Sequence, residues 1–205
     1  MLYETRWPDT INALKSITTI TTRYNPSGIA IHFLNDPSHD TTGITSPEDV
    51  TELFFNVAPV EGGSTPLGAR LDVLLREYLD VYRTAKDDRT PTPKPLNVIA
   101  ITDGEATDDP ESVIVSIARE LDRLNAPLGQ VGVQLFQVGG DEDAREFLRG
   151  LDDDLVAVYG VRDMVDTTPY RGGKGGEGKL EGEEMLKVLV GAVNRRVDRR
   201  ENVWA

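Results

Sequence analysis

The sequence contains no cysteine. Disulfide staples, thiolate metal sites and cysteine nucleophiles are excluded together. Histidine is nearly as scarce, with two residues in 205, so a histidine metal cage or proton relay has little to draw on. No apolar run approaches the roughly 20 residues that cross a bilayer. Met1 to Asp9 is polar and charged, so no secretory signal is expected and the localisation reads as cytoplasmic. Positive charge is also short: 22 Lys+Arg stand against 35 Asp+Glu, a net charge of −13. Such a field repels polyphosphates and anionic lipid, so neither nucleic acid nor a membrane surface is an expected partner. Divalent cations and neutral or basic proteins remain.

What is present suits a globular chain. Hydrophobic residues make up 39% and charged residues 28%, which excludes collagen, coiled coil and wholesale disorder. The length fits a single domain over residues 1–205. A chain of this size buries roughly 70% of its unfolded surface and needs no metal to fold.

Helical and strand periods alternate along it. Trp7, Ile11, Leu14 and Ile17 recur at spacings of three and four, predicting a helix over 4–23. Asn25-Pro26-Ser27-Gly28 is a turn, and residues 29–34 read as a strand. Residues 35–47 read as loop. A short helix is expected over 47–56, with Ser46 as its N-cap and Asp49 three residues on. A leucine-rich helix follows over 66–82. Residues 96–102 form a nearly all-apolar strand, as expected where both sheet faces are covered. Residues 110–124 read as a helix with Asp109 as N-cap and Pro110 in the first position. A strand is expected over 131–138, a short helix over 141–151 and a last strand over 155–159. Residues 171–182 are glycine-rich and read as a flexible loop, and 183–199 as a closing helix. The alternation predicts an α/β domain with a mostly parallel sheet, Rossmann-like and doubly wound, with helices on both faces. Ligands of such sheets sit at the carboxyl ends of the strands.

Two loops fall at that rim. Glu61-Gly62-Gly63-Ser64-Thr65-Pro66-Leu67-Gly68 opens the leucine-rich helix and offers two hydroxyls. Its plainer reading is an ordinary helix start, with Ser or Thr capping before Pro. Thr102-Asp103-Gly104-Glu105-Ala106-Thr107-Asp108-Asp109 follows the apolar strand. A carboxylate there must be paired, hydrated or metal-bound. Its plainer reading is an Asx-turn at Asp103-Gly104. Together, hydroxyl and carboxylate oxygens suit a hard cation such as Mg²⁺. Competing enzyme motifs are missing: there is no phosphate-binding Gly-x-x-x-x-Gly-Lys-Ser/Thr, no complete Gly-x-Ser-x-Gly elbow and no dinucleotide fingerprint after a strand. His32 falls within a strand and reads as a structural residue, and neither it nor His39 sits in a triad pattern.

The stretch Gly62-Gly63-Ser64-Thr65-Pro66-Leu67-Gly68, followed by Val98-Ile99-Ala100-Ile101-Thr102-Asp103-Gly104-Glu105, resembles the von Willebrand factor type A domain, in its fungal intracellular form. Val165-Asp166-Thr167-Thr168-Pro169-Tyr170 and Asn194-Arg195-Arg196 add to the likeness, which runs over nearly the whole chain. The resemblance implies a binding module and not an enzyme. It implies a metal-ion-dependent adhesion site for Mg²⁺ or Mn²⁺, with Thr65 and Asp103 as ligands and Ser64 as the alternative to Thr65. It implies a protein partner that supplies an acidic side chain to the metal.

One departure is consequential. The family's first ligand loop, Asp-x-Ser-x-Ser at the end of the central strand, occurs nowhere before the first helix. Met1 resembles the Met that follows that loop in many relatives. The missing strand belongs between 29–34 and 96–102, leaving a gap of about one strand spacing, roughly 4.8 Å. Either an upstream strand belongs to the protein, or the flanking strands pair directly or take a partner's strand. With only Thr65 and Asp103 surviving, weak or absent metal binding is expected. The alternatives are a metal-assisted hydrolase or phosphotransferase built on Asp103, Glu105 and Asp108, and a metal-independent interaction domain.

Overall fold

A computed structural model describes residues 6–58 and 63–168. The expected glycine-rich loop over 171–182 and closing helix over 183–199 lie outside the described residues.

The chain is an α/β fold. Helix α1 (Arg6–Thr21) leads into strand β1 (Ile29–Ile31), a 3-10 turn (Pro37–His39), strand β2 (Thr41–Ile44) and helix α2 (Pro47–Phe55). Helix α3 (Leu67–Asp87), strand β3 (Leu96–Thr102), helix α4 (Pro110–Arg123) and strand β4 (Val131–Gln137) follow. Helix α5 (Glu142–Tyr159) and strand β5 (Val165–Thr168) end the described chain.

Among the described residues the strands form two separate sheets. β3, β4 and β5 are hydrogen-bonded in that order and all parallel. β3 and β4 stay in register from Leu96 opposite Val131 to Thr102 opposite Gln137. β1 and β2 form an antiparallel pair of their own. Pleating divides the apolar side chains of β3 and β4 between two packing layers. Leu96, Val98, Ala100, Val131, Val133 and Leu135 join the leucines of α3, α4 and α5 in the largest core. Ile99, Ile101 and Phe136 pack with Ala13 and Ile17 of α1. A third cluster joins Ile31 and Ile44 to Val50 and Phe54 of α2. No helix among the described residues is long and apolar enough to cross a membrane.

The local signals explain most starts and stops. Ser46 and Asp49 form a reciprocal capping box on α2, and Asp109 caps α4 through the Ser112 amide. Four readings need correction. Residues 155–159 are not a strand but the last turns of α5, because Ala144, Leu148, Leu151 and Leu155 continue one buried stripe and Gly160 (φ 61°) ends the helix in the left-handed region. The last described strand is β5 instead. The 35–47 stretch contains β2, whose Thr-Thr-Gly-Ile sequence carries no apolar run to announce it. β1 ends at Ile31, so His32 lies beyond the strand. Finally, α3 starts with Pro66 in the cap position and no side-chain cap from its own loop, so neither Ser64 nor Thr65 caps it.

Candidate functional site

β3 delivers its loop to the carboxyl edge of the parallel sheet. The turn after it is closed by Thr102, whose hydroxyl donates to the Gly104 carbonyl at 3.0 Å and accepts from the Gly104 amide at 3.3 Å. Asp103 does not make that turn. Its Oδ2 accepts from Arg6 at 2.9 Å, across 97 residues of chain. Both side chains are largely sheltered, at 26% and 16% exposure, which makes this more than a loose surface pair. Arg6 reaches Asp103 past Gly139, where a Cβ would stand 2.7 Å from the guanidinium Nε. Gly139 also has φ +86°, so its lack of a side chain serves both the turn and the passage of Arg6.

The two candidate loops are stitched together. The Thr65 amide donates to the Thr107 hydroxyl at 3.0 Å, and the Thr107 amide donates back to the Thr65 carbonyl at 3.0 Å. Asp108 accepts from the Gly68 and Ala69 amides at 2.9 and 2.7 Å. It therefore supplies the cap that α3 lacks locally, and its charge suits the positive end of that helix. Backbone approach is close here: a Cβ on Gly68 would lie 2.8 Å from the Pro110 nitrogen. Asp109 is spent on α4, and the hydrogen bonds from Ser112 hold its carboxyl below the usual range.

Gly63, Ser64, Thr65 and Asp103 are among the residues that line a large groove of about 1220 Å³. The groove runs between β1 and β3, with α1 on one side and α3 on the other. The predicted ligands Thr65, Ser64 and Asp103 thus line the same groove. They fit a divalent cation poorly. The only carboxylate of the three already has a guanidinium on Oδ2, and a cation beside Arg6 would be repelled. No group of three or more His, Asp or Glu side chains suited to a metal occurs among the described residues. Of the carboxylates considered for hydrolysis, Asp108 is committed to α3 and Glu105 is exposed.

A second polar cluster sits on the groove wall. His32 Nδ1 meets Asp40 Oδ2 at 2.9 Å, and Arg70 donates to the same oxygen. Asp40 Oδ1 accepts the Phe33 amide at 3.0 Å, tying β1's exit to the loop before β2. Burial, then the Arg70 charge, holds the His32 pKa below its ordinary value, against an opposing pull from Glu77. Near it, Ser38 and Asp36 both approach Nδ1 of His39, at 3.3 and 2.8 Å. A catalytic triad needs the hydroxyl and carboxylate on opposite ring nitrogens, so this is a turn and not a relay.

Sequence reasoning did not find Arg6, Thr107 or the capping role of Asp108. One signal was legible: Arg6 opens a helix whose positive end disfavours a cation, so it needed an outside partner. No family model, no curated protein and no solved structure matches the chain.

Proposed function

We propose that this chain is a von Willebrand A-like, doubly wound protein-binding module whose metal-dependent recognition site is incomplete. The observation that carries the reading is that Ser64, Thr65 and Asp103 line the same groove, with Arg6 holding the carboxylate of Asp103. Two hydroxyls and a carboxylate at the carboxyl edge of a parallel sheet are the donors that the family resemblance implies. The guanidinium supplies in place the positive charge that a cation would bring to Asp103. A partner is then recognised without a metal bridge, by the surfaces around this rim. No hydrogen bond described in the cluster pairs a nucleophile with a base, so the hydrolase reading has no specific observation in its favour among the described residues.

Isothermal calorimetry with Mg²⁺ and Mn²⁺ tests the reading. No saturable micromolar binding is expected. Micromolar binding that disappears in Asp103→Ala refutes it.

A further inference from the structure

Five serine or threonine residues stand directly before a proline: Ser46, Thr65, Thr90, Thr92 and Thr168. The fold treats them unequally. Ser46 accepts the Asp49 amide at 3.1 Å as the cap of α2. The Thr65 amide and carbonyl are both bonded to Thr107, and Leu67, two residues on, is buried at the start of α3. Thr90 donates its amide to the Ala85 carbonyl at 2.9 Å and turns its hydroxyl to the same oxygen at 3.4 Å. Thr168 lies in β5, where its hydroxyl accepts from Gln134 at 3.0 Å. Thr92 alone of the five is exposed, lies outside every helix and strand, and has a hydroxyl with no hydrogen-bond partner among the described residues.

The surrounding chain presents Thr92 as a substrate segment. It sits in Arg89-Thr90-Pro91-Thr92-Pro93-Lys94-Pro95, between α3 and β3. Each proline ring holds φ at about −65°, and each residue before a proline is pushed toward extended backbone. The segment is therefore extended without being paired in a sheet. Its two feet are fixed. Thr90 is tied to Ala85 at one end. At the other, the Pro93 carbonyl accepts from Gln130 at 3.0 Å and the Lys94 carbonyl accepts from Tyr78 at 2.7 Å. Pro91 and Thr92 form the exposed crest between them. A protein kinase takes its substrate as an extended stretch with a free hydroxyl. Proline after that hydroxyl has no N–H, so a kinase cleft that offers no acceptor at this position selects it.

We propose that Thr92 is a phosphorylation site for a proline-directed protein kinase. Thr92 Oγ1 forms a bond to the γ-phosphorus of Mg²⁺-ATP. The bond from that phosphorus to the bridging oxygen breaks, its electron pair stays on ADP, and the hydroxyl proton passes to the kinase's catalytic aspartate. The new group brings a charge of about −1.5 to −2, two residues from Lys94. It enters the chain before β3, whose 7 residues separate this loop from Asp103. The mark is a regulatory charge outside the candidate site, and it does not depend on the binding-module reading.

The test incubates the full chain with Mg²⁺-ATP and a purified proline-directed kinase, and maps phosphate by mass spectrometry. Short synthetic peptides around each of the five sites serve as references, so that each rate in the folded chain is divided by the rate in its own peptide. Thr92 is expected to react in the chain about as fast as in its peptide. The other four are expected to be slowed about tenfold or more, because the fold must open locally before they are reached. Thr92→Ala is expected to keep the parent Tm and lose the main phosphate, and Thr92→Ser to keep it. Protein isolated from its own cells with phosphatase inhibitors is expected to carry phosphate on Thr92. The proposal is overturned if the kinase leaves Thr92 unmodified in the chain or in its peptide, or if another of the five sites is slowed no more than Thr92. Absence of phosphate on Thr92 in the cell-derived protein also overturns it.

Discussion

Gly68→Ala probes the contact that holds the candidate site together. The added Cβ would meet the Pro110 nitrogen at 2.8 Å and the Asp109 carbonyl carbon and oxygen at 2.9 Å. Ordinary carbon contacts lie near 3.5–4.0 Å, so helix α3 or the start of α4 must move by about half an ångström or more. Both neighbours are backbone and cannot rotate away. Overpacking of this kind costs about 1–3 kcal/mol, against a helix-propensity gain of about 1 kcal/mol for Ala over Gly. The expected net effect lies between about zero and a loss of about 2 kcal/mol, a Tm drop of up to roughly 4–8 °C for a domain of this size, so the comparison with a site where propensity acts alone is what isolates the clash. Gly150→Ala is the matched control. It lies inside α5, and its nearest neighbour is the Asp154 carboxylate at 3.7 Å, an ordinary contact. Propensity then acts alone, and a gain of up to about 1 kcal/mol is expected. Urea unfolding of both variants gives the comparison. Gly68→Ala as stable as Gly150→Ala would refute the claimed closeness of the two loops.

Three further outcomes are expected. Ser46→Ala should cost about 1 kcal/mol in urea unfolding, through loss of the α2 capping box; a neutral result would mean the box contributes nothing. Arg162→Met should cost about 3 kcal/mol, because Arg162 is buried and donates to Asp122 at 2.8 Å and to the Pro127 and Ala126 carbonyls at 3.0 Å each; a loss under about 1 kcal/mol would show that water replaces these bonds. His32 should titrate below its ordinary value by NMR. As pH falls through that ordinary value, the unfolded chain takes up the proton first, so His32 subtracts stability down to its lower folded pKa and no more beyond it. Arg70→Gln should move the His32 pKa upward by removing a nearby positive charge, and an unchanged pKa would show that Arg70 is not a cause.

Legibility followed the strength of local signals. The stripes of α3 and α4, the cap residues Ser46 and Asp109, and the apolar runs of β3 and β4 were readable because each encodes its own burial. Leu155-Val156-Ala157-Val158-Tyr159 misled because a short apolar run has no period of its own. Only the distant Ala144 and Leu148 reveal that it continues a helix. β2 was hidden for the opposite reason, since its stability comes from pairing with β1 and not from its sequence. At the candidate site, the rule for strand ends pointed to the loops of Ser64, Thr65 and Asp103, and all three line one groove. Their hydrogen bonds lay beyond that rule. Arg6 with Asp103, Thr107 with Thr65, and Asp108 with Gly68 and Ala69 are 97, 42, 40 and 39 residues apart, beyond any sequence window.

Most central to the proposal is that the rim of β3 does not form a metal site, because Arg6 holds Asp103. Mn²⁺ titration followed by amide line broadening tests it at the residue itself. An acidic chain attracts Mn²⁺ diffusely, so the informative quantity is selective, saturable broadening. The expected result is no selective effect at Ser64, Thr65 and Gly104 relative to other acidic surfaces. Selective broadening of those amides, saturating at micromolar Mn²⁺ and abolished by Asp103→Ala, would contradict the account.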